Sequence, residues 1–194
     1  GFTALSETLD PDATRGLLKE FHALVDREVT RSGGIVTSFL GDGAMILFGL
    51  PAESADDATR AAECSIALCV KTERWIETLP PSIAERIGFK IGAHFGPIVA
   101  SRLGGRNHQH ITATGDTVNV SRRLMEVAAR HDVRLAVSDT LRVEAERTGA
   151  RLKTGSLEGP VEAQIRGRSG SLTVWLWRSE DRAMENGAHP HAAE

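Results

Sequence analysis

Three polar side chains in this sequence have the type and spacing to act on a phosphorylated ligand. Asp42 lies between two glycines in TSFLGDGAMILFGLP (residues 37–51), a carboxylate inside an apolar run. A hard cation such as Mg²⁺ takes one or two carboxylates together with phosphate oxygens and water. Asn119 and Arg123 are four residues apart in TATGDTVNVSRRL (residues 112–124), so both project from one face of a helix. Asn offers a directional hydrogen bond and Arg a fixed positive fork, a pair suited to a ribose or phosphate oxygen that gains charge during a reaction. The adjacent Arg122 points about 100° away around such a helix. Gly1-Phe2-Thr3, entering a helix, can also offer backbone N–H groups to phosphate. Each signal is short. Taken alone, Asp42 reads more readily as a type I′-like hairpin residue, and Asn-x-x-x-Arg as a helix-start Asn with a solvated Arg.

The elements around these residues can be read from periodicity and punctuation. Asp10-Pro11 is an N-cap followed by proline at the first helical position, and Leu17, Leu18, Phe21, Leu24, Val25 and Val29 then recur on one face until Gly33-Gly34. Residues 35–40 and 44–48 read as a hairpin turned at Gly41-Asp42-Gly43. Residues 56–79 form a second long amphipathic helix. Residues 89–95 and 98–103 read as a strand pair turned at Gly96-Pro97, followed by a polar loop, GGRNHQH, and a short strand at 111–114. A helix runs from Asp116 to about Arg130, a strand spans 134–137, and Ser138 caps a short helix. Residues 151–177 close the chain with two or three antiparallel strands around a turn at 167–170. The pattern predicts α+β architecture, a mainly antiparallel sheet covered by helices on one face. One domain is expected over residues 1–180, with a disordered tail over 181–194.

Bulk properties narrow the function classes. The chain has 194 residues, 41% of them hydrophobic and 25% charged, ordinary values for a globular protein. A net charge of -3 and the absence of Tyr argue against nucleic acid as a partner. Cys64 and Cys69 share one amphipathic helix without zinc spacing and read as reduced core thiols of a cytoplasmic domain. His108 and His110 read as solvated loop residues and His94 as a satisfied core or interface residue. Ser138, Asp139 and the histidines show no triad signature, and neither a dinucleotide fingerprint nor a P-loop is present. No apolar run reaches the ~20 residues of a membrane span. Because the chain starts at Gly1 and not Met, it reads as a fragment with room upstream for a sensor or a membrane anchor.

Together the motifs resemble the catalytic domain of class III nucleotide cyclases, the adenylyl and guanylyl cyclase family. The resemblance covers Gly1 to about Trp177. It is carried by GFTALSE, GGIVTSFLGDGAMILFGLP, IGAHFGPIVASRLG, TGDTVNVSRRL, RLAVSDTL and QIRGRSGSLTVWLW in this order. It implies a ferredoxin-like core and a head-to-tail homodimer with active sites at the interface. It also implies cyclisation of a nucleoside triphosphate assisted by two Mg²⁺ or Mn²⁺ ions. By the same resemblance Asp42 is a metal ligand, Asn119 orients the ribose and Arg123 stabilises the transition state. Phe2 and Thr3 lie around the triphosphate, Arg166 reaches the terminal phosphates, and Thr112 reads the base. Thr at that place leans towards ATP, within a subset that includes bicarbonate-responsive enzymes.

Two departures accompany the resemblance. The family's first metal aspartate is expected three residues before Gly1, outside this sequence. Ser38 stands where adenylyl cyclases usually carry a base-reading Lys. The expected function is therefore an adenylate cyclase domain making cyclic AMP and pyrophosphate. A non-catalytic cyclase-like regulatory module and a guanylate cyclase are the alternatives. A diguanylate-cyclase-like enzyme is disfavoured by the Gly-Asp-Gly hairpin.

Overall fold

The computed structural model describes residues 1–105, 108–148, 157–165 and 170–178, with the side chains of 102–110 left aside. After a short helix α1 (Phe2–Ser6), helix α2 (Pro11–Arg31) begins where the sequence signals it. The Asp10 side chain accepts from the Ala13 N–H at 2.8 Å and Pro11 takes the first turn. Its end is a Schellman cap. Gly33 has φ +73°, its N–H donates to the Thr30 carbonyl, and the Gly34 N–H donates to the Val29 carbonyl.

Strands β1 (Ile35–Leu40) and β2 (Gly43–Leu47) then form an antiparallel hairpin, with a register shift between Val36 and Ser38. Helix α3 (Asp57–Glu77) packs on α2, sharing a core of Leu24, Val25, Val29, Cys64 and Leu68. A short α4 (Pro81–Ala84) leads to β3 (Ile91–Ala93). Next come β4 (Val99–Gly105), β5 (His108–Thr114), α5 (Asp116–Arg130), β6 (Leu135–Ser138) and α6 (Asp139–Arg147). The last described strands are β7 (Leu157–Gln164) and β8 (Ser171–Trp177).

The central sheet has the order β3-β6-β8-β7, with β3 and β6 parallel and the other pairs antiparallel. Two sequence expectations are corrected here. First, β3 does not pair with β4. β4 pairs with β5 instead, so most of the expected GGRNHQH loop is strand. β3 turns away at Gly96-Pro97, where the Thr117 hydroxyl donates to the Pro97 carbonyl at 2.6 Å. Its parallel partner β6 arrives only after the crossover through α5, the kind of connection a parallel pair requires.

Second, helices cover both faces of the sheet. All four residues of β6 are buried, and successive side chains point to opposite faces. Leu135 and Val137 pack with Ala58, Ala62, Leu141 and Ala145 of α3 and α6. Ala136 packs with Val120, Leu124, Val127 and Ala128 of α5. The continuous apolar run LAV carried that signal, because a strand buried on both faces does not alternate. Among the described residues, no helix is long and apolar enough to cross a membrane.

β3 and α5 approach each other closely at Gly92. A Cβ on Gly92 would stand 2.0 Å from the Ser121 carbonyl oxygen and 2.9 Å from the Leu124 Cβ. Gly92→Ala is therefore expected to destabilise the fold by about 1–3 kcal/mol, read as a lowered urea midpoint. Leu124→Ala, at a fully buried position, is expected to cost about 2–5 kcal/mol through the cavity it leaves.

Candidate active site

The hairpin turn fixes Asp42 without using its side chain. β1 ends at Leu40 and β2 starts at Gly43, opposite each other, so Gly41 and Asp42 are the two turn residues. Gly41 has φ +62°, while Asp42 stays outside the positive-φ region. That is the pattern of a II′ turn, with glycine at the first position, rather than the I′ turn expected. The Asp42 carboxylate is exposed and bonds to none of the described residues. The turn therefore needs Gly41 and places no demand on a carboxylate at 42. A free, hard oxygen donor flanked by small residues fits a Mg²⁺ or Mn²⁺ ion as one ligand of a set completed by phosphate and water. Among the described residues, no cluster of three or more acidic, His or Cys side chains forms a complete metal cage.

Phe2 and Asp42 line the same cleft, together with Phe21, Trp75 and Phe89. Thr3 follows in the first turn of α1, where its carbonyl accepts from the Ser6 hydroxyl at 2.7 Å. Phe2 and Thr3 thus form the helix start itself, not a loop leading to it. Their position next to Gly1 is tight, since a Cβ on Gly1 would meet the Arg86 carbonyl oxygen at 2.2 Å.

A second group assembles on α5. Gly115, at φ +133°, turns the chain from β5 into the helix. Val120, Leu124, Val127 and Ala128 bury one stripe. Asn119 and Arg123 each precede a buried residue of that stripe and stand at its edge. Asn119 is exposed, and the Arg123 side chain keeps 34% exposure. Arg122 is exposed on the far side. The Arg123 guanidinium bonds to Glu126 at 2.5 Å, a residue for which the sequence offered no signal beyond i,i+3 spacing. Such partly exposed pairs contribute at most ~1 kcal/mol, so a phosphate can displace Glu126.

Thr112 is half-buried in β5, opposite Ser101 of β4. Strand β5 lies against β1, the strand that carries Ser38. Ser38, half-buried beside the register shift, is paired with Met45. Arg166 falls outside the described residues.

The structure thus gathers the site residues into two groups. Phe2 and Asp42 share one cleft. Asn119 and Arg123 share one helix face, with Thr112 at the end of the preceding strand. Among the described residues, no hydrogen bond or ion pair joins Asp42 to the α5 group.

The other polar candidates resolve as structural. His94 Nδ1 lies 2.8 Å from the Ser138 hydroxyl, and Ser138 is fully buried and caps α6 by accepting from the Leu141 N–H. A buried capping hydroxyl cannot reach a substrate. The side chains of His108 and His110 lie outside the described set. Cys64 and Cys69 are buried free thiols, and burial pushes both pKa values up, so neither is a reactive thiolate. Asp139 is held below the usual carboxylate range, first by the Trp175 indole N–H at 2.8 Å and then by Arg142, an anchor between α6 and β8.

The family comparison and the fold define a nucleotide cyclase domain. Residues 1–177 match the family described as "Adenylate and Guanylate cyclase catalytic domain", and the chain belongs to that family. It is 35% identical over 142 residues to the uncharacterized protein Rv1319c of Mycobacterium tuberculosis, covering 72% of this chain and 25% of that protein. Adenylate cyclase 1 of Rhizobium meliloti is 28% identical over 123 residues, covering 63% of this chain and 18% of that protein. The chain therefore spans a quarter or less of the length of these curated relatives. Among solved structures, the guanylyl cyclase Cya2 superposes with a TM-score of 0.73 at 23% identity, covering 91% of this chain and 86% of that one. The expected α+β cyclase fold is therefore the observed one, and the matched span agrees with the Gly1–Trp177 extent of the resemblance.

Proposed function

We propose that this domain is an adenylate cyclase catalytic domain that works in the cytoplasm as a homodimer and converts ATP to 3′,5′-cyclic AMP and pyrophosphate. The observation that carries the reading is that, among the described residues, no hydrogen bond or ion pair joins Asp42 to Asn119 and Arg123 within one chain. A head-to-tail pair lets the hairpin of one protomer face α5 of its partner. Because both groups lie on the same polypeptide, the symmetric pair forms two equivalent sites.

In each site the 3′-hydroxyl oxygen attacks the α-phosphorus in line. The bond from the α-phosphorus to the bridging oxygen breaks, pyrophosphate leaves, and the hydroxyl proton is released. Asp42 would hold Mg²⁺ or Mn²⁺, ions that in two-metal sites activate the attacking hydroxyl and neutralise the leaving phosphates. Asn119 hydrogen-bonds the ribose and holds it for attack. Arg123 leaves Glu126 and donates to phosphate oxygens as charge builds on them. Phe2 and Thr3 border the triphosphate, and Arg166 reaches its far end. Thr112 and Ser38, on neighbouring strands, meet the base edge, with Thr112 favouring adenine. Bicarbonate stimulation belongs to the same proposal. Equal rates with and without bicarbonate at fixed pH would remove it.

Ser38 supports one second reading, a module that binds nucleotide or a partner domain without turnover. A serine there lacks the charge and reach of the usual lysine. The test is to incubate the full-length protein with ATP or GTP and Mn²⁺ and to separate the products by chromatography. Cyclic AMP from ATP is expected. Cyclic GMP alone would overturn the choice of base, and no cyclic product from either nucleotide would overturn the enzyme reading.

A further inference from the structure

His22 is the one described side chain with a hydrogen bond to the two turn residues. It lies on α2, nineteen positions before Gly41, and its Nε2 stands 2.9 Å from the Gly41 carbonyl oxygen. A carbonyl oxygen only accepts, so Nε2 carries the proton and donates. The ring lies face to face with Phe39, centroids 3.9 Å apart and planes 21° from parallel. Phe39 packs on the α2–α3 core of Leu24, Val25, Val29 and Leu68. The imidazole is therefore held flat against the buried face of β1 while its outer nitrogen reaches over to the turn. The Phe21 ring is tilted 54° to it, with the centroids 6.0 Å apart.

We propose that His22 is a positioning residue for the Asp42 carboxylate. It acts through Gly41 and touches neither ligand nor metal. The turn has little else to hold it. Gly41 is the most permissive residue the chain can place there, and Asp42 makes no bond of its own with the described residues. A turn at the exposed end of a hairpin belongs to the part of a fold that opens most easily, so an added tie from outside the hairpin has room to act. The bond from α2 couples the turn to the long helix that carries the core, and so fixes where the carboxylate stands before a cation arrives. Preorganised donors are what a metal and phosphate site needs. This inference rests on the reading of Asp42 as a metal ligand, but its first consequence does not.

His22→Phe keeps the ring stack and removes the donor. His22→Gln removes the ring and keeps an N–H that reaches Gly41. In hydrogen exchange of the metal-free protein, His22→Phe is expected to speed exchange of the Gly43 to Met45 amides roughly fivefold, the equilibrium factor of one net hydrogen bond. The β6 amides serve as the unchanged reference, and His22→Gln should restore much of the protection. In the cyclase assay, His22→Phe should raise the Mn²⁺ concentration for half-maximal rate by a similar ~5-fold, with kcat at saturating Mn²⁺ retained. Unchanged exchange in His22→Phe, or equal loss of protection in both variants, overturns the role of the donor. A shifted exchange pattern with an unshifted Mn²⁺ dependence also overturns it, because the bond would then serve the fold alone. If the unsubstituted protein makes no cyclic nucleotide, the metal arm moves to Mn²⁺ binding followed by paramagnetic resonance. That outcome removes the cyclase reading and still tests the clamp.

Discussion

Arg123→Ala is expected to lower kcat by about 10²–10³-fold and to leave the fold intact, the loss that follows when one preorganised charge-stabilising donor is removed. The geometry separates this effect from a stability effect. Arg123 stands at the edge of the α5 stripe with 34% of its side chain exposed, and its one partner among the described residues is the half-exposed Glu126. Truncating it uncovers no cavity and orphans no buried charge, so the unfolding free energy should stay within about 0.5 kcal/mol. Arg123→Lys should recover little, since an ammonium cannot reproduce two parallel N–H donors on a phosphate. Arg122→Ala, on the solvent side of the same helix, is the control and should turn over normally. Near-normal turnover in Arg123→Ala, measured by product chromatography at saturating ATP and Mn²⁺, would mean that another arginine carries the charge.

Asp42→Asn is expected to lower the rate by a comparable ~10²-fold or more, because an amide is a weak ligand for a hard cation and brings no charge to the site. The substitution is isosteric, and the wild-type carboxylate has no partner among the described residues to lose. Its stability should therefore match the parent. The more telling experiment combines the two variants. If the site is shared across a dimer, a mixed pair of Asp42→Asn and Arg123→Ala chains keeps one site with both groups intact. Equal mixing gives half mixed pairs, each with one of two sites restored, so about one quarter of the parent activity should return. A mixture no more active than its components would show that one chain builds its own site, and the homodimer reading would fall. The same preparation followed by sedimentation reports whether the pairs form at all.

Much of what positions these residues was legible in local sequence. The Asp10-Pro11 start and the Gly33-Gly34 end of α2 were readable because caps act within a few residues. Helix α5 was readable because its apolar spacing survives without knowing what it packs on, and with it came the shared face of Asn119 and Arg123. The hairpin was readable from Gly41-Asp42-Gly43 between apolar runs, although Gly43 already belongs to β2 and the two-residue turn proved to be of the II′ type. The family itself was legible because the order and spacing of six short motifs exclude chance better than any one motif.

Other features were decided at distances sequence patterns do not span. The parallel partner of Ile91–Ala93 lies beyond a hairpin and a helix, so local alternation pointed to the wrong neighbour, β4. The burial of β6 on both faces depends on α3, α5 and α6 arriving from separate parts of the chain. His22 was invisible because its spacing from Gly41 matches no motif. Only the packing of α2 on β1 brings imidazole and carbonyl within 2.9 Å. By itself, then, the sequence determined which side chains are available for chemistry and which helix or turn presents them, because those properties follow from residue type and near-neighbour geometry. The tertiary structure decided which of them meet, placing Asp42 in a cleft with Phe2 and tying its turn to α2. Such contacts are set by how whole elements bury their apolar faces against one another.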